Sequence, residues 1–89
     1  MQARTFNPGQ VVITPGANAA LNRGDVIRGL DRHVRCDWGD VSEDDRAAND
    51  EALQHNDRLL SAYFSGNTRF WIITEYDRSV TTILLPEEY

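Results

Sequence analysis

Two hydrophobic periods run along this chain, and the switch between them separates a helical half from a strand half. Near the start, Asn7-Pro8-Gly9 reads as a turn and Val11-Val12-Ile13 as a short apolar strand. Thr14-Pro15 has the signature of a helix start: a hydroxyl at the N-cap, then proline at the first helical position, where its missing N–H costs nothing. Ala17, Ala19, Ala20 and Leu21 continue that short helix, and Gly24 is its expected stop. Asp25 then stands as the cap of a second helix whose apolar residues, Val26, Ile27, Leu30 and Val34, share one face. Gly29 lies inside this helix at a cost of roughly 1 kcal/mol relative to alanine.

Cys36-Asp37-Trp38-Gly39-Asp40 interrupts the helical period and predicts a tight loop. Ser42 followed by Asp45 resembles a capping box, and Glu43, Asp44 and Asp45 in the first turn suit the positive end of a helix dipole. The third helix is predicted to run to about Gln54. Ala48, Ala52 and Leu53 would form its narrow buried face, with Glu43, Asp44, Asp50 and Glu51 together on the opposite arc. From Arg58 onwards the period is two. Leu60, Ala62 and Phe64 alternate with Leu59, Ser61 and Tyr63; after a Ser65-Gly66-Asn67 turn, Phe70, Ile72, Thr74 and Tyr76 alternate with Trp71, Ile73 and Glu75. Asp77-Arg78-Ser79 is a second turn, and Val80 to Leu85 a third strand stopped by Pro86. The expected architecture is a single α+β domain over residues 1–89, in the order β-α-α-α-β-β-β. Short helices would pack on one face of a small three- to four-stranded antiparallel sheet.

Length and composition narrow the function classes. Eighty-nine residues make one core, and 40 % apolar residues are enough to fill it. Cys36 is the one cysteine, so no internal disulfide forms and a disulfide-stapled secreted scaffold is excluded. The first residues lack the apolar segment of a signal peptide, and no apolar run approaches a membrane span, so a cytoplasmic location without membrane contact is expected. A net charge of −5 argues against direct binding of nucleic acid by bulk electrostatics. The distribution of charge says more. Between Asp37 and Asp57 there are eight acids and one base, Arg46, whereas the other positions carry six acids and eight bases.

Several strings point to a known group. His33-Val34, Asp37-Trp38-Gly39-Asp40, Asn49, Ala52-Leu53 and Arg58-Leu59-Leu60-Ser61-Ala62-Tyr63 are followed by Trp71-Ile72-Ile73-Thr74-Glu75, Asp77-Arg78-Ser79, Thr81-Thr82 and Leu84-Leu85-Pro86-Glu87-Glu88-Tyr89. Over roughly residues 13 to 89 this pattern resembles an uncharacterised family of small bacterial proteins carried on plasmids, integrative elements and prophages. Some members are labelled as plasmid-related or as restriction-modification components. The resemblance implies a setting, cargo of mobile DNA, where small proteins often oppose host defence; it implies no chemistry.

The candidate chemistry follows from these features. The acidic helix either keeps a small domain soluble or presents charge to a basic protein surface, such as that of a CRISPR or restriction effector. Under the second reading the partner-binding residues are Asp37, Trp38, Asp40, Glu43, Asp44, Asp50 and Glu51, with Trp38, Trp71, Tyr76 and Tyr89 as candidate aromatic anchors. Trp38 would be exposed on its loop or, the favoured reading, plug the seam between helix and sheet. An alternative is a metal-independent ribonuclease of the barnase or RelE kind, in which His33, Tyr63, Arg78, Ser79, Thr81 and Thr82 would supply general acid, general base and phosphate contacts. His33, Cys36, Asp37 and Asp40 crowd together, but no second Cys/His pair follows, so no metal and no cofactor is expected. Either Val11–Thr14 or Val80–Leu85, as an edge strand, would pair two copies into a homodimer.

Overall fold

The computed structural model of the chain describes residues 4–89. Strand β1 (Gln10–Ile13) leads into helices α1 (Pro15–Ala20), α2 (Arg23–Val34) and α3 (Glu43–His55), followed by strands β2 (Leu59–Ser65), β3 (Thr68–Thr74) and β4 (Val80–Leu84) and a closing 3-10 turn at Pro86–Glu88. This is the predicted β-α-α-α-β-β-β order in an α+β domain. The sheet order is β1-β4-β3-β2. Strands β2, β3 and β4 form the antiparallel meander that their alternation predicts. β1 instead runs parallel to β4, from Gln10 opposite Val80 to Ile13 opposite Ile83, so the sheet is mixed. Three helices separate β1 from β2, and a connection that long lets β1 enter beside β4 in the parallel sense. One expectation is thereby corrected: Val80–Leu85 is not an edge, because β1 covers β4. No helix is long and apolar enough to cross a membrane among the described residues.

The helix starts follow their capping chemistry. Thr14 accepts a hydrogen bond from the Ala17 N–H at 3.2 Å, with Pro15 behind it. α2 begins earlier than predicted because Asn22, not Asp25, is its cap, accepting from Gly24 and Asp25 N–H at 2.8 and 3.3 Å. Gly24 therefore lies in the first turn instead of ending a helix. Asp25 accepts from the Ser65 hydroxyl at 2.7 Å and pairs with Arg28. Gly29 repays its propensity cost through packing. A β-carbon there would lie 3.0 to 3.1 Å from the rings of Phe70 and Tyr63, so its absence lets α2 approach the sheet. Phe70 and Tyr63 belong to a core with Ala17, Ile72, Ile83 and Leu85, onto which Leu21, Val26 and Leu30 pack. A second cluster, Cys36, Trp38, Ala52 and Leu59 with Phe6, Val41 and Leu53, lies under α3.

α3 differs from its predicted face. Ala52 is buried and Leu53 half-buried, but Ala48 is exposed and Asn49 takes the buried position. The reason lies at the β2 edge of the sheet. The Asn49 amide donates to the Leu60 carbonyl at 2.7 Å and accepts from the Leu60 N–H at 3.1 Å, standing in for a neighbouring strand. Two residues on, Ala62 N–H donates to the Trp38 carbonyl at 3.1 Å and Asp40 N–H to the Ala62 carbonyl at 2.8 Å. Gly39 is required for this contact: it sits at φ +75°, and a β-carbon would fall 2.1 Å from the Ala62 oxygen. At Leu60 and Ala62 the β2 edge is thus covered by a side chain and a loop. At the far end of α3, Arg78 donates to the carbonyls of Ala52 and Asp57 at 3.0 and 2.6 Å, tying the β3–β4 turn to the negative end of the helix.

The Asn49 clamp makes a clean prediction. Asn49→Ala should destabilise the fold by about 2 kcal/mol, since two strand groups lose their partner. The near-isosteric Asn49→Asp should destabilise it comparably, because a carboxylate oxygen would then face the Leu60 carbonyl. Urea denaturation of the two variants checks this; a stable Asn49→Asp protein would contradict the assigned amide orientation.

Candidate interaction site

The Asp37–Asp40 loop and α3 are built together. Trp38 is 1 % exposed and fills the seam between α3 and the sheet, its ring edge-on to His33 and stacked near Phe6. Its indole N–H donates to Asp50 Oδ1 at 3.1 Å. Trp38 is therefore a plug in the core and not a partner contact, which corrects its place among the binding residues. Asp50 is drawn inward by the same bond and also pairs with Arg4 at 3.1 Å; the indole bond, then Arg4, hold its carboxyl below the usual range against the cost of burial. Asp37 takes two bonds from the Arg32 guanidinium, at 2.8 and 3.2 Å, and its carboxyl is likewise held low by Arg32. Asp40 faces Arg69 at 3.8 Å, and Arg69 also donates to its carbonyl at 2.8 Å. Three of the predicted site acids are thus committed to the protein's own arginines.

The remaining acids are differently placed. Glu43, Asp44 and Asp45 are exposed, and among the described residues none forms an ion pair. Glu51 is exposed, and its one ion-pair neighbour among the described residues is His55, at 4.0 Å. Arg46, on the same helix, turns toward the loop and donates to the Gly39 carbonyl at 3.4 Å. Ala47 and Ala48, both exposed, lie between Glu43–Asp44 and Glu51, so no bulky side chain rises above the carboxylates. The face that results is flat, acidic and held on a helix clamped at both ends. Asp45, read from the sequence as part of the cap and first turn, was not among the predicted partner-binding residues, though that first-turn place is the signal that would have included it. Of the candidate anchors, Trp71 is half-buried and packs edge-on against Tyr89, while Tyr76 is exposed in the β3–β4 turn that Arg78 ties to the end of α3.

The candidate nuclease residues do not converge on an open site. His33 is fully buried. Its Nδ1 lies 2.5 Å from Ser61 Oγ and its Nε2 2.8 Å from Thr74 Oγ1. Thr74 Oγ1 lies 2.7 Å from Thr81 Oγ1, and the Thr81 hydroxyl donates to the Pro8 carbonyl at 2.7 Å. Because the carbonyl can only accept, every proton in this row is fixed in turn. Thr81 gives its proton to Pro8, Thr74 gives its own to Thr81, and His33 Nε2–H donates to Thr74. Nδ1 is then left to accept from Ser61. Burial pushes the imidazole down to about pKa 3, with the positive charge of Arg78 acting in the same direction. A ring that is neutral, enclosed and bonded at both nitrogens cannot serve as an accessible acid or base. Arg78 spends its donors on backbone carbonyls, Thr82 lies on the opposite sheet face, and the Tyr63 hydroxyl donates to the Asp37 carbonyl at 2.6 Å. His33, Cys36, Asp37 and Asp40 do not gather either; among the described residues no three metal-capable side chains do. Burial raises the Cys36 thiol, which stays protonated.

Compared with protein families, with curated proteins and with solved structures, the chain finds no match.

The buried imidazole gives the fold a pH dependence of definite sign. As pH falls below 6.5, the unfolded chain protonates His33 but the folded protein does not, so stability is full above that value and falls as pH drops. The slope is about 1.4 kcal/mol per pH unit. The depressed carboxylates act lower, below unfolded values of 3.8 for aspartate and 4.5 for glutamate. Thermal denaturation between about pH 6 and pH 5 should therefore show a falling Tm in the wild type. In His33→Gln the Tm should be lower but nearly flat. An unchanged slope in the variant would mean that another group is responsible.

Proposed function

We propose that this protein is a non-catalytic binding protein whose α3 face docks on a basic surface of a larger protein. The partner class we assign is an effector of host defence, a CRISPR or restriction complex, in keeping with the mobile-element setting that the sequence resemblance implies. One observation carries the reading. The chain's own arginines engage Asp37, Asp40 and Asp50, yet among the described residues Glu43, Asp44 and Asp45 have no arginine paired with them, and Glu51 has a histidine at 4.0 Å. Neighbouring carboxylates repel one another, and an unpaired row of them is relieved by an incoming cationic surface. The face is also rigid, through the Ser42 cap, the Asn49 clamp and the Arg78 tie, so little order is lost on docking. Tyr76, exposed in the turn that Arg78 ties to the end of α3, offers apolar area near that helix end.

Charge reversal tests this directly. The triple variant Glu43→Lys, Asp44→Lys, Glu51→Lys should still fold, with a loss of about 1–2 kcal/mol, because all three side chains are exposed but two lysines then stand at the positive end of the α3 dipole. It should lose at least roughly tenfold in affinity for any effector that the tagged wild-type protein captures from host lysate, and wild-type binding should weaken with salt. A reversed protein that binds and inhibits like the wild type would reduce the acidic face to solvation.

A further inference from the structure

The two edges of the sheet are treated in opposite ways. The β2 edge is covered at Leu60 and Ala62 by Asn49 and the Trp38–Asp40 loop, whereas β1 ends the sheet on the other side and no backbone pairs with its outer edge among the described residues. Gln10 N–H bonds to the Ser79 carbonyl at 2.9 Å and Thr14 N–H to the Ile83 carbonyl at 3.0 Å. By strand alternation Val12 also faces β4, and the N–H and C=O groups of Val11 and Ile13 point away from the sheet. No hydrogen bond reaches these four groups among the described residues. The side chains are bare as well: Val11, Val12 and Ile13 are 40, 37 and 38 % exposed. An edge of this kind is ordinarily blunted by charge, proline or a bulge, and β1 has none of them. No charged residue occurs between Arg4 and Arg23.

We propose that β1 pairs antiparallel with β1 of a second copy, about a two-fold axis through Val12, joining two four-stranded sheets into one. In that register Val11 of each copy lies opposite Ile13 of the other, and all four outward backbone groups on each strand are satisfied. Val12 meets its own counterpart at the axis. Val11 and Ile13 lie on the helix face, since they stand beside the buried Thr81 and Ile83. There they border an apolar groove of about 380 Å³ between β1 and α2, lined also by Val26, Ile27 and Leu30, with Arg23 its one charged residue. Ile27 is 60 % exposed, and the incoming strand's own valine and isoleucine close this open side.

Charge selects the occupant. A charged strand gains no ion pair at an uncharged edge, while β1 of another copy is uncharged and already held extended, so pairing requires little further ordering. Each copy carries a net −5, but the acids cluster at the β2 end. Joined through β1, the two β2 strands lie seven strand spacings apart, roughly 34 Å, several Debye lengths at physiological salt. The inference is independent of whether the acidic face has a partner.

Sedimentation equilibrium of the full chain across a concentration series tests it, with Val12→Lys, Val12→Glu and their mixture alongside. The wild type should reach twice its 10.1 kDa mass. Each single variant should stay monomeric at concentrations where the wild type is dimeric, since like charges meet across the axis at a surface position. The equimolar mixture should recover the dimer by pairing lysine with glutamate. A wild type that remains monomeric into the millimolar range would overturn the proposal, as would a Val12→Lys protein that dimerises like the wild type. Failure of the mixture to recover the dimer would overturn the Val12-centred register.

Discussion

The row of hydrogen bonds from Ser61 through His33, Thr74 and Thr81 to the Pro8 carbonyl is the constraint on which the rest of the structure depends. It runs across three strands' worth of sheet beneath α2 and ends on the segment that precedes β1. A row of polar groups inside a core stabilises one arrangement only if every member is satisfied. Here each hydroxyl donates once and accepts at most from the next group, so sliding α2 or any strand by one residue would strand a buried donor. The same row fixes where β1 begins, because Pro8 must reach Thr81 just before Gln10 pairs with Val80. Gly29, one turn before His33, lets α2 come close enough for the imidazole to be enclosed.

From that frame the surface acquires two distinct ends. At the β2 end, Asn49 and the Trp38–Asp40 loop cover Leu60 and Ala62 of the edge, and the Asn49 attachment orients α3 so that Glu43, Asp44 and Glu51 face outward. Arg32, Arg69 and Arg4 neutralise the acids nearest the fold, leaving those of the outer helical arc. At the β1 end the strand itself is uncharged and apolar, and among the described residues its outer backbone groups have no partner. A sheet covered along one edge and open along the other would keep the two proposed surfaces, one for a second copy and one for a partner, apart.

Much of the fold was legible in the sequence, because the change of period at Arg58 and the Thr14-Pro15 and Ser42 caps are local signals. The parallel entry of β1 was not, since an apolar triplet such as Val11-Val12-Ile13 does not encode which strand it will join. Asn49 was missed for a related reason: counting apolar positions assigned the buried face of α3 to Ala48, while the strand edge needed an amide. Asp50 was grouped with the exposed acids, but it borders the buried arc and reaches the Trp38 indole. His33 read as a candidate general acid or base. Its spacing from Val26, Gly29 and Leu30 put it on the buried stripe, and that was the signal available. The exposed character of Glu43, Asp44 and Glu51 was legible, because nothing in the helical pattern drew them inward.

The central claim is that His33 is a neutral imidazole with its proton on Nε2, locked between Ser61 and Thr74. Imidazole nitrogen NMR of the uniformly labelled protein measures this directly. The expected result is a protonated Nε2 and an unprotonated Nδ1, unchanged from neutral pH down to about pH 5, well above the pKa of about 3. A ring that titrates near 6.5, or one that carries its proton on Nδ1, would contradict the hydrogen-bond order from which the frame is derived.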